Sequence, residues 1–327
     1  MRDDVRLPDF ALAPASADAS FRRYFRATLR ERWPGAPEAA SLIAMDAPAP
    51  QEDCRPFVHV ANLLAQAGVH APRVLASDLA HGFLLLTDLG TTTYAAALDA
   101  QSARALYGDA LHALVRWQVA SRADQLPPYD ETLLRRELAL FPDWYVARHL
   151  GRTLSAAQRA SLDAMFDAIV ARNLAEPRVF VHRDYHSRNL MVTEPNPGVL
   201  DFQDAVFGPI TYDLVSLLRD AYVEWDEEIQ LDFAIRYWEH ARAAGLPVAS
   251  DFAAFWSDFE WMGVQRQLKV LGIFARLCIR DGKSGYVKDM PRVRGYLRRA
   301  VARYRELDPL AALLDTLEDA APEAQPA

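Results

Sequence analysis

The sequence predicts an α+β fold, and three observations carry that prediction. Residues 10–88 read as short apolar and β-branched runs with one amphipathic helix among them. From Tyr94 onward apolar residues recur at helical spacing. Inside that helical half, residues 179–181 and 199–200 are again β-branched and apolar, and the dense turn chemistry of Glu194-Pro195-Asn196-Pro197-Gly198 lies between them. The 327 residues are 51% hydrophobic, enough for a substantial core in one two-lobed unit or two domains.

In the first part, residues 10–15 and 21–29 form two strands joined by the polar run Ser16-Ala17-Asp18-Ala19-Ser20, and residues 41–46 form a third. Residues 52–66 make a helix, because Phe57, Val60, Ala61 and Leu64 line one side. Gly68 is placed to end it, and Glu52 and Asp53 in its first turn complement the helix dipole. Residues 72–77 and 83–87 are two more strands around His81-Gly82.

Thr91-Thr92-Thr93 then offers N-caps for a helical stretch over residues 94–174, with Leu106, Ala110, Leu111, Leu114 and Trp117 on one face. Pro127-Pro128 interrupts it, and Pro142 should kink or divide the helix expected over 130–150. Further helices are expected over 213–221 and 225–243, followed by a long one over 251–280. That long helix begins with apolar Phe252, Phe255, Trp256, Phe259 and Met262. In its second half Arg266, Lys269, Arg276 and Arg280 fall within an arc of roughly 80°. Helices over 291–307 and 309–319 close the chain, and residues 320–327, with two prolines and small residues, are expected to be disordered.

The chemistry concentrates between the late strands. His182-Arg183-Asp184 is followed, after four residues, by Asn189, and Asp201-Phe202 stands at the end of the next strand. Two carboxylates and an amide at strand ends suit a hard cation such as Mg²⁺ carrying phosphates. A carboxylate in a loop also orients and deprotonates an attacking hydroxyl. The order and spacing match a kinase catalytic loop followed by its metal-binding aspartate. With His186 and Asp213, the wording resembles the aminoglycoside phosphotransferase superfamily more than protein kinases. More narrowly, Ala19-Ser20-Phe21-Arg22-Arg23-Tyr24-Phe25-Arg26, Met45-Asp46-Ala47-Pro48 and Gln265-Arg266-Gln267-Leu268-Lys269-Val270-Leu271-Gly272 resemble the anomeric sugar kinases of bacterial cell-wall recycling. Those enzymes phosphorylate N-acetylmuramate and N-acetylglucosamine at C1.

The resemblance implies a protein-kinase-like bilobal fold, with a small β-rich nucleotide lobe over residues 1–88 and a larger, mostly helical catalytic and substrate lobe over 89–319. ATP and Mg²⁺ follow as cofactors. Asp184 becomes the general base, Asn189 and Asp201 the metal ligands, and Asp213 a brace for the catalytic loop. Backbone groups at Thr87, Asp88 and Leu89 would meet adenine. Ser16 and Ser20 would offer hydroxyls to the phosphates from a loop that here has no glycine. His182 and His186 read as scaffold. The sequence departs from the pattern where kinases keep a phosphate-binding lysine, because Met45-Asp46 occupies that strand and the only lysines are Lys269, Lys283 and Lys288. Arg22, Arg23 or Arg26 can supply the cation instead, and Arg23 or Arg26 is the expected choice. Strand alternation points Arg22, Tyr24 and Arg26 to one face and Arg23 to the other.

Residues 261–283 hold five basic residues and only Asp281 as an acid. A pocket for polycationic aminoglycosides would be acidic, so the stripe fits a neutral or anionic sugar, with Arg266 and Lys269 as substrate residues beside Gln203 and Tyr145. A solvated helix face accounts for the same stripe, and core packing for Tyr145. A net charge of −8 argues against nucleic acid as a partner. Cys54 and Cys278 lack metal-ligand spacing and read as buried free thiols. Met1-Arg2-Asp3-Asp4 lacks a signal-peptide core and no membrane-length apolar run occurs, so a cytoplasmic monomer acting on a small amino sugar is expected. Two other readings stand beside it: a kinase of the same fold for an aminoglycoside, choline-like or homoserine-like alcohol, and an inactive nucleotide-binding protein.

Overall fold

The computed structural model describes residues 5–17, 21–48 and 51–319. Ser20 and the tail over 320–327 lie outside the described residues. The chain packs as two compact units that interleave in sequence: Met1–Ala120 with His182–Ala205, and Ser121–Val181 with Val206–Ala327. The expected lobes, by contrast, meet at residue 88.

The first unit is built on an antiparallel sheet in the order β1-β2-β3-β5-β4, from β1 (Phe10–Ala17), β2 (Arg23–Leu29), β3 (Ser41–Asp46), β4 (Val74–Asp78) and β5 (Phe83–Thr87). The register sets Arg23 opposite Asp46, Tyr24 opposite Met45 and Met45 opposite Leu84. The central strands β3 and β5 are apolar on both faces because both faces are covered. Leu42 and Leu85 on one face join Trp33 and Ala36 in a buried cluster, while Met45, Leu84 and Leu86 are buried on the other. Helix α1 (Arg55–Gln66) buries Phe57, Val60, Ala61, Leu63 and Leu64, and Pro56 sits in its first turn, where a missing N–H costs nothing. The helix starts three residues later than the periodicity suggests, so Glu52 lies ahead of it and takes up a different partner.

After the sheet come α2 (Tyr94–Ala97), capped by the Thr93 hydroxyl, and α3 (Ala103–Val119). The segment from His182 to Ala205 packs with them. It carries the hairpin β7 (Leu190–Met191) and β8 (Gly198–Val199). The Ala95 N–H donates to Ser187 O at 2.9 Å, and the Tyr185 hydroxyl donates to Ala110 O at 2.8 Å. In the hairpin turn, the Asn196 amide donates to the Tyr94 hydroxyl and to Asp109, both at 2.8 Å.

The second unit surrounds α8 (Phe252–Asp281), a 30-residue helix flanked by α4 (Glu131–Leu138), α5 (Ala156–Ala175), α6 (Tyr212–Leu218), α7 (Glu227–Ala243), α9 (Met290–Val301) and α10 (Asp308–Asp319). Strands β6 (Arg178–Val181) and β9 (Val206–Pro209) pair antiparallel beside it. Helix α8 has the termini its sequence calls for: the Asp251 carboxylate accepts from the Ala254 N–H at 3.0 Å, and Gly282 turns left-handed at φ 67°. Pro142 does divide the preceding helix. After α4 the chain widens into a π-helix over Phe141–His149. Gly272 on α8 permits this segment to approach, since a Cβ there would sit 2.4 Å from the Leu140 carbonyl carbon.

Candidate functional site

The loop after β6 is fixed by its own polar groups. The buried His182 ring donates from Nε2 to Leu200 O at 3.0 Å, and its Nδ1 accepts the Asp184 N–H at 3.2 Å. Both contacts are met by the neutral ring with one proton on Nε2, which is the scaffold role expected of His182. The Asn189 amide donates to Asp184 O at 3.0 Å and reaches Asp201 Oδ2 at 3.4 Å. Asp184 is therefore held at both its N–H and its C=O. Arg183 and Asp201 adopt left-handed φ of 78° and 59°, conformations that a non-glycine residue keeps only where its surroundings hold it.

Asn189 and Asp201 open onto a cleft of about 390 Å³ in the first unit. Tyr24, Arg26, Ile43 and Leu86 form its sheet side, Met191 and Leu200 its hairpin side, and residues 87–90 its edge. Thr87, Asp88, Leu89, Asn189 and Asp201, the residues expected to meet nucleotide and metal, thus come together around the cleft. Phe202, beside Asp201, is fully buried against Phe57 of α1, with ring centroids 4.6 Å apart. This contact seats the helix on the Asp201 loop.

Two expected contributors are placed differently. Arg26 forks onto the Asp88 carboxylate at 2.5 and 3.0 Å and donates to Gly90 O at 2.8 Å. Asp88 also accepts from the Ser41 hydroxyl at 2.7 Å and the Gly90 N–H at 2.9 Å. Burial alone would push the Asp88 carboxyl up, but these donors hold it below the usual carboxylate range. Arg26 therefore locks the cleft edge. Arg23, with a side chain 64% exposed, pairs with Asp46 across the strands on the sheet face away from Tyr24 and Arg26. Ser16 lies in β1.

Sequence reasoning missed two contacts. Gln203, buried, donates to Asp201 Oδ1 at 2.7 Å and so orients that carboxylate. Arg22 pairs with Glu52 at 2.9 Å, and each side chain is only 12% exposed. Burial works against the Arg22 charge, yet Tyr24, Glu52, Asp204 and Asp201 outweigh it and raise the guanidinium's pKa. The strand alternation that grouped Arg22 with Tyr24 and Arg26 was the available signal.

The residues expected to touch substrate sit in the second unit, apart from Gln203. Lys269 Nζ lies 2.9 Å from Glu137 and donates to the Tyr212 hydroxyl at 2.8 Å; Arg266 donates to the same hydroxyl at 3.1 Å. Gln265 donates to Glu137 at 3.1 Å, and Tyr129 bonds the same carboxylate. Arg266 and Lys269 are 6% and 4% exposed. Tyr145 is buried between Phe141 and His149, at centroid distances of 5.4 and 5.5 Å. Asp213 is buried in the first turn of α6.

Oxygen donors dominate the Asp201 region. Asn189 places its amide N–H groups on Asp184 O and Asp201, which leaves the amide oxygen as the donor atom for a cation, and Asp201 offers carboxylate oxygens. That donor set fits Mg²⁺, which is held by one or two protein oxygens with phosphates completing its shell. Accordingly, no group of three or more His, Cys, Asp or Glu side chains is arranged for a metal among the described residues.

Comparison with known proteins gives concordant results. The description "Phosphotransferase enzyme family" matches residues 11–246. An N-acetylmuramate/N-acetylglucosamine kinase of Pseudomonas aeruginosa is 54% identical over 96% of this chain and 91% of its own length. One of Neisseria meningitidis serogroup B is 51% identical over 94% of this chain and 90% of its own. Among solved structures, the choline kinase LicA from Streptococcus pneumoniae superposes with a TM-score of 0.62 at 12% identity, over 90% of this chain and 96% of that one. This likeness shows the protein-kinase-like fold.

Proposed function

We propose, from the premise that this chain belongs to the phosphotransferase enzyme family, that it moves the γ-phosphoryl group of ATP to the anomeric C1 hydroxyl of N-acetylmuramate or N-acetylglucosamine. The reading rests on the arrangement of Asp184, Asn189 and Asp201, which Asn189 joins by hydrogen bonds, with Asn189 and Asp201 opening onto the cleft. It is supported by two relatives that carry this name over nearly their whole length.

Asp184 accepts the proton of the C1 hydroxyl as its oxygen bonds to the γ-phosphorus and ADP leaves in line. His182 and Asn189 hold the Asp184 backbone, so its carboxylate keeps one direction of approach. Asn189 Oδ1 and Asp201 would hold Mg²⁺, which neutralises charge on the phosphate oxygens. Gln203 steadies Asp201, and the backbone of Thr87 to Leu89 meets adenine at an edge braced by the Arg26–Asp88 pair. In this reading Arg266 and Lys269 act through the Tyr212 hydroxyl, fixing the start of α6 rather than gripping the sugar. Among the described residues no helix is long and apolar enough to cross a membrane, and we assign the reaction to the cytoplasm, where ATP is supplied, with the chain acting as a monomer.

The test is ATP turnover with N-acetylmuramate, N-acetylglucosamine, kanamycin and choline in parallel, with the sugar product identified by ³¹P NMR. Turnover of the two sugars, with phosphate on C1, is the expected result. Turnover of kanamycin or choline alone overturns the substrate assignment.

A further inference from the structure

We infer that Arg22, held in place by Glu52, is the cation that grips the nucleotide phosphates in this protein. The inference rests on the phosphotransferase reading above and adds a residue to it.

Residues 1–268 contain no lysine, so nothing in the first unit can supply an ammonium to the phosphates. Three arginines lie on or just before β2, and their surroundings separate them. Arg23 is on the outer face, exposed and paired with Asp46. Arg26 is on the cleft side, but its fork closes on Asp88 and Gly90, and its pKa is raised first by the Asp88 hydrogen bonds. Arg22 continues the alternation of Tyr24 and Arg26 one residue ahead of β2.

Its setting differs from theirs in two ways. First, the Arg22–Glu52 pair is largely withdrawn from water on both sides. A pair in that position is weak evidence for stability, because desolvating two charges offsets much of their attraction. Charged groups perturbed by burial and a specific partner also cluster at functional sites. Second, Arg22 lies in the field of Asp201 and Asp204 as well as Glu52. Tyr24 and Arg26, whose alternation Arg22 continues, line the cleft together with Asp201, so the alternation directs the guanidinium to the side from which nucleotide phosphates come.

The geometry is reinforced from α1. Glu52 precedes that helix by three residues, and Phe57 within it packs on Phe202, the neighbour of Asp201. One short stretch therefore positions both the partner of Arg22 and the loop of Asp201. A guanidinium fork serves a carboxylate on one edge and a phosphate on another, whereas an ammonium is a single point. Glu52 is then a positioning residue, and Arg22 the group that meets phosphate.

The experiment compares Mg²⁺-dependent binding of ATP, ADP and adenosine by calorimetry, using the full chain and the variants Arg22→Met, Arg22→Lys and Glu52→Gln. Arg55→Met is the surface control, since its pair with Asp53 is exposed. Arg22→Met is expected to weaken ATP and ADP by about 10- to 100-fold while leaving adenosine unchanged. Arg22→Lys, which keeps the charge but cannot fork onto Glu52 and phosphate together, should recover only part of that loss, and Glu52→Gln should fall between the parent and Arg22→Met. ADP affinity within about twofold of the parent in Arg22→Met, or a parallel loss for adenosine, overturns the inference. Should Arg22→Met fail to fold, Glu52→Gln decides by the same ratio of ADP to adenosine affinity. The two readings fail separately: a parent chain that phosphorylates sugar while Arg22→Met binds ADP normally removes only the clamp, and a parent that binds no nucleotide removes both.

Discussion

Asp184 has its backbone N–H and C=O both engaged by side chains of its own loop, His182 and Asn189. Replacing its carboxylate by an amide leaves those two bonds intact and removes only the proton acceptor. Asp184→Asn is therefore expected to lower kcat by about 10²- to 10⁴-fold with ADP affinity and thermal midpoint close to the parent. A rate within tenfold of the parent in a steady-state assay would show that another group takes the proton. Asp184, Asn189 and Asp201 were legible in the sequence because one short loop and one hairpin bring them together, and spacing alone encodes such local geometry. The contacts of Gln203 and Arg22 were not legible, for a related reason. The first turns onto Asp201 through a left-handed φ at Asp201 itself, which no residue preference announces. The second depends on where Glu52 ends up once α1 begins at Arg55 rather than earlier.

At the scale of elements, strand and helix periodicity located nearly every segment, including α8 with its Asp251 cap and Gly282 stop. Strand β9 escaped notice because Val206–Pro209 is short and contains a glycine and a proline. Periodicity also grouped Arg266, Lys269, Arg276 and Arg280 correctly on one face, but it does not say what covers that face. Lys269 and Arg266 are roofed by Glu137 and Tyr212, whereas Arg280 is exposed on Asp281. The run from Gln265 to Gly272 thus has a packing role: Gln265 and Lys269 satisfy Glu137, and Gly272 admits the π-helical segment. Gly272→Ala places a methyl group against the Leu140 backbone, which must shift. We expect a loss of about 2–3 kcal/mol, or a thermal midpoint lower by about 5–10 °C. An unchanged midpoint by calorimetry would mean that α8 and the π-helix separate freely.

At the scale of the whole molecule, the interleaving of the two units was not readable, because packing rather than chain order defines them. One pH response of the fold follows from a group inside the second unit. Glu176 is fully buried; desolvation dominates and pushes its carboxyl from an ordinary 4.5 up to about 8, although the Thr211 hydroxyl at 2.7 Å works the other way. Because the folded pKa is the higher one, the stability this residue contributes is complete below about 4.5 and lost as pH rises through about 8. Glu176→Gln stays neutral throughout. The parent should therefore lose ~3–5 kcal/mol relative to this variant between pH 5 and pH 9, seen as diverging thermal midpoints. Parallel midpoints across that range would place the carboxylate in water. A different consequence follows from the arginines around the cleft. Reagents that find nucleotide enzymes by acylating a lysine amine beside the phosphates have no lysine to modify anywhere before Lys269. Such profiling would pass this protein by even when it is abundant and loaded with nucleotide, and a dicarbonyl that condenses with guanidinium is the chemistry suited to detecting it.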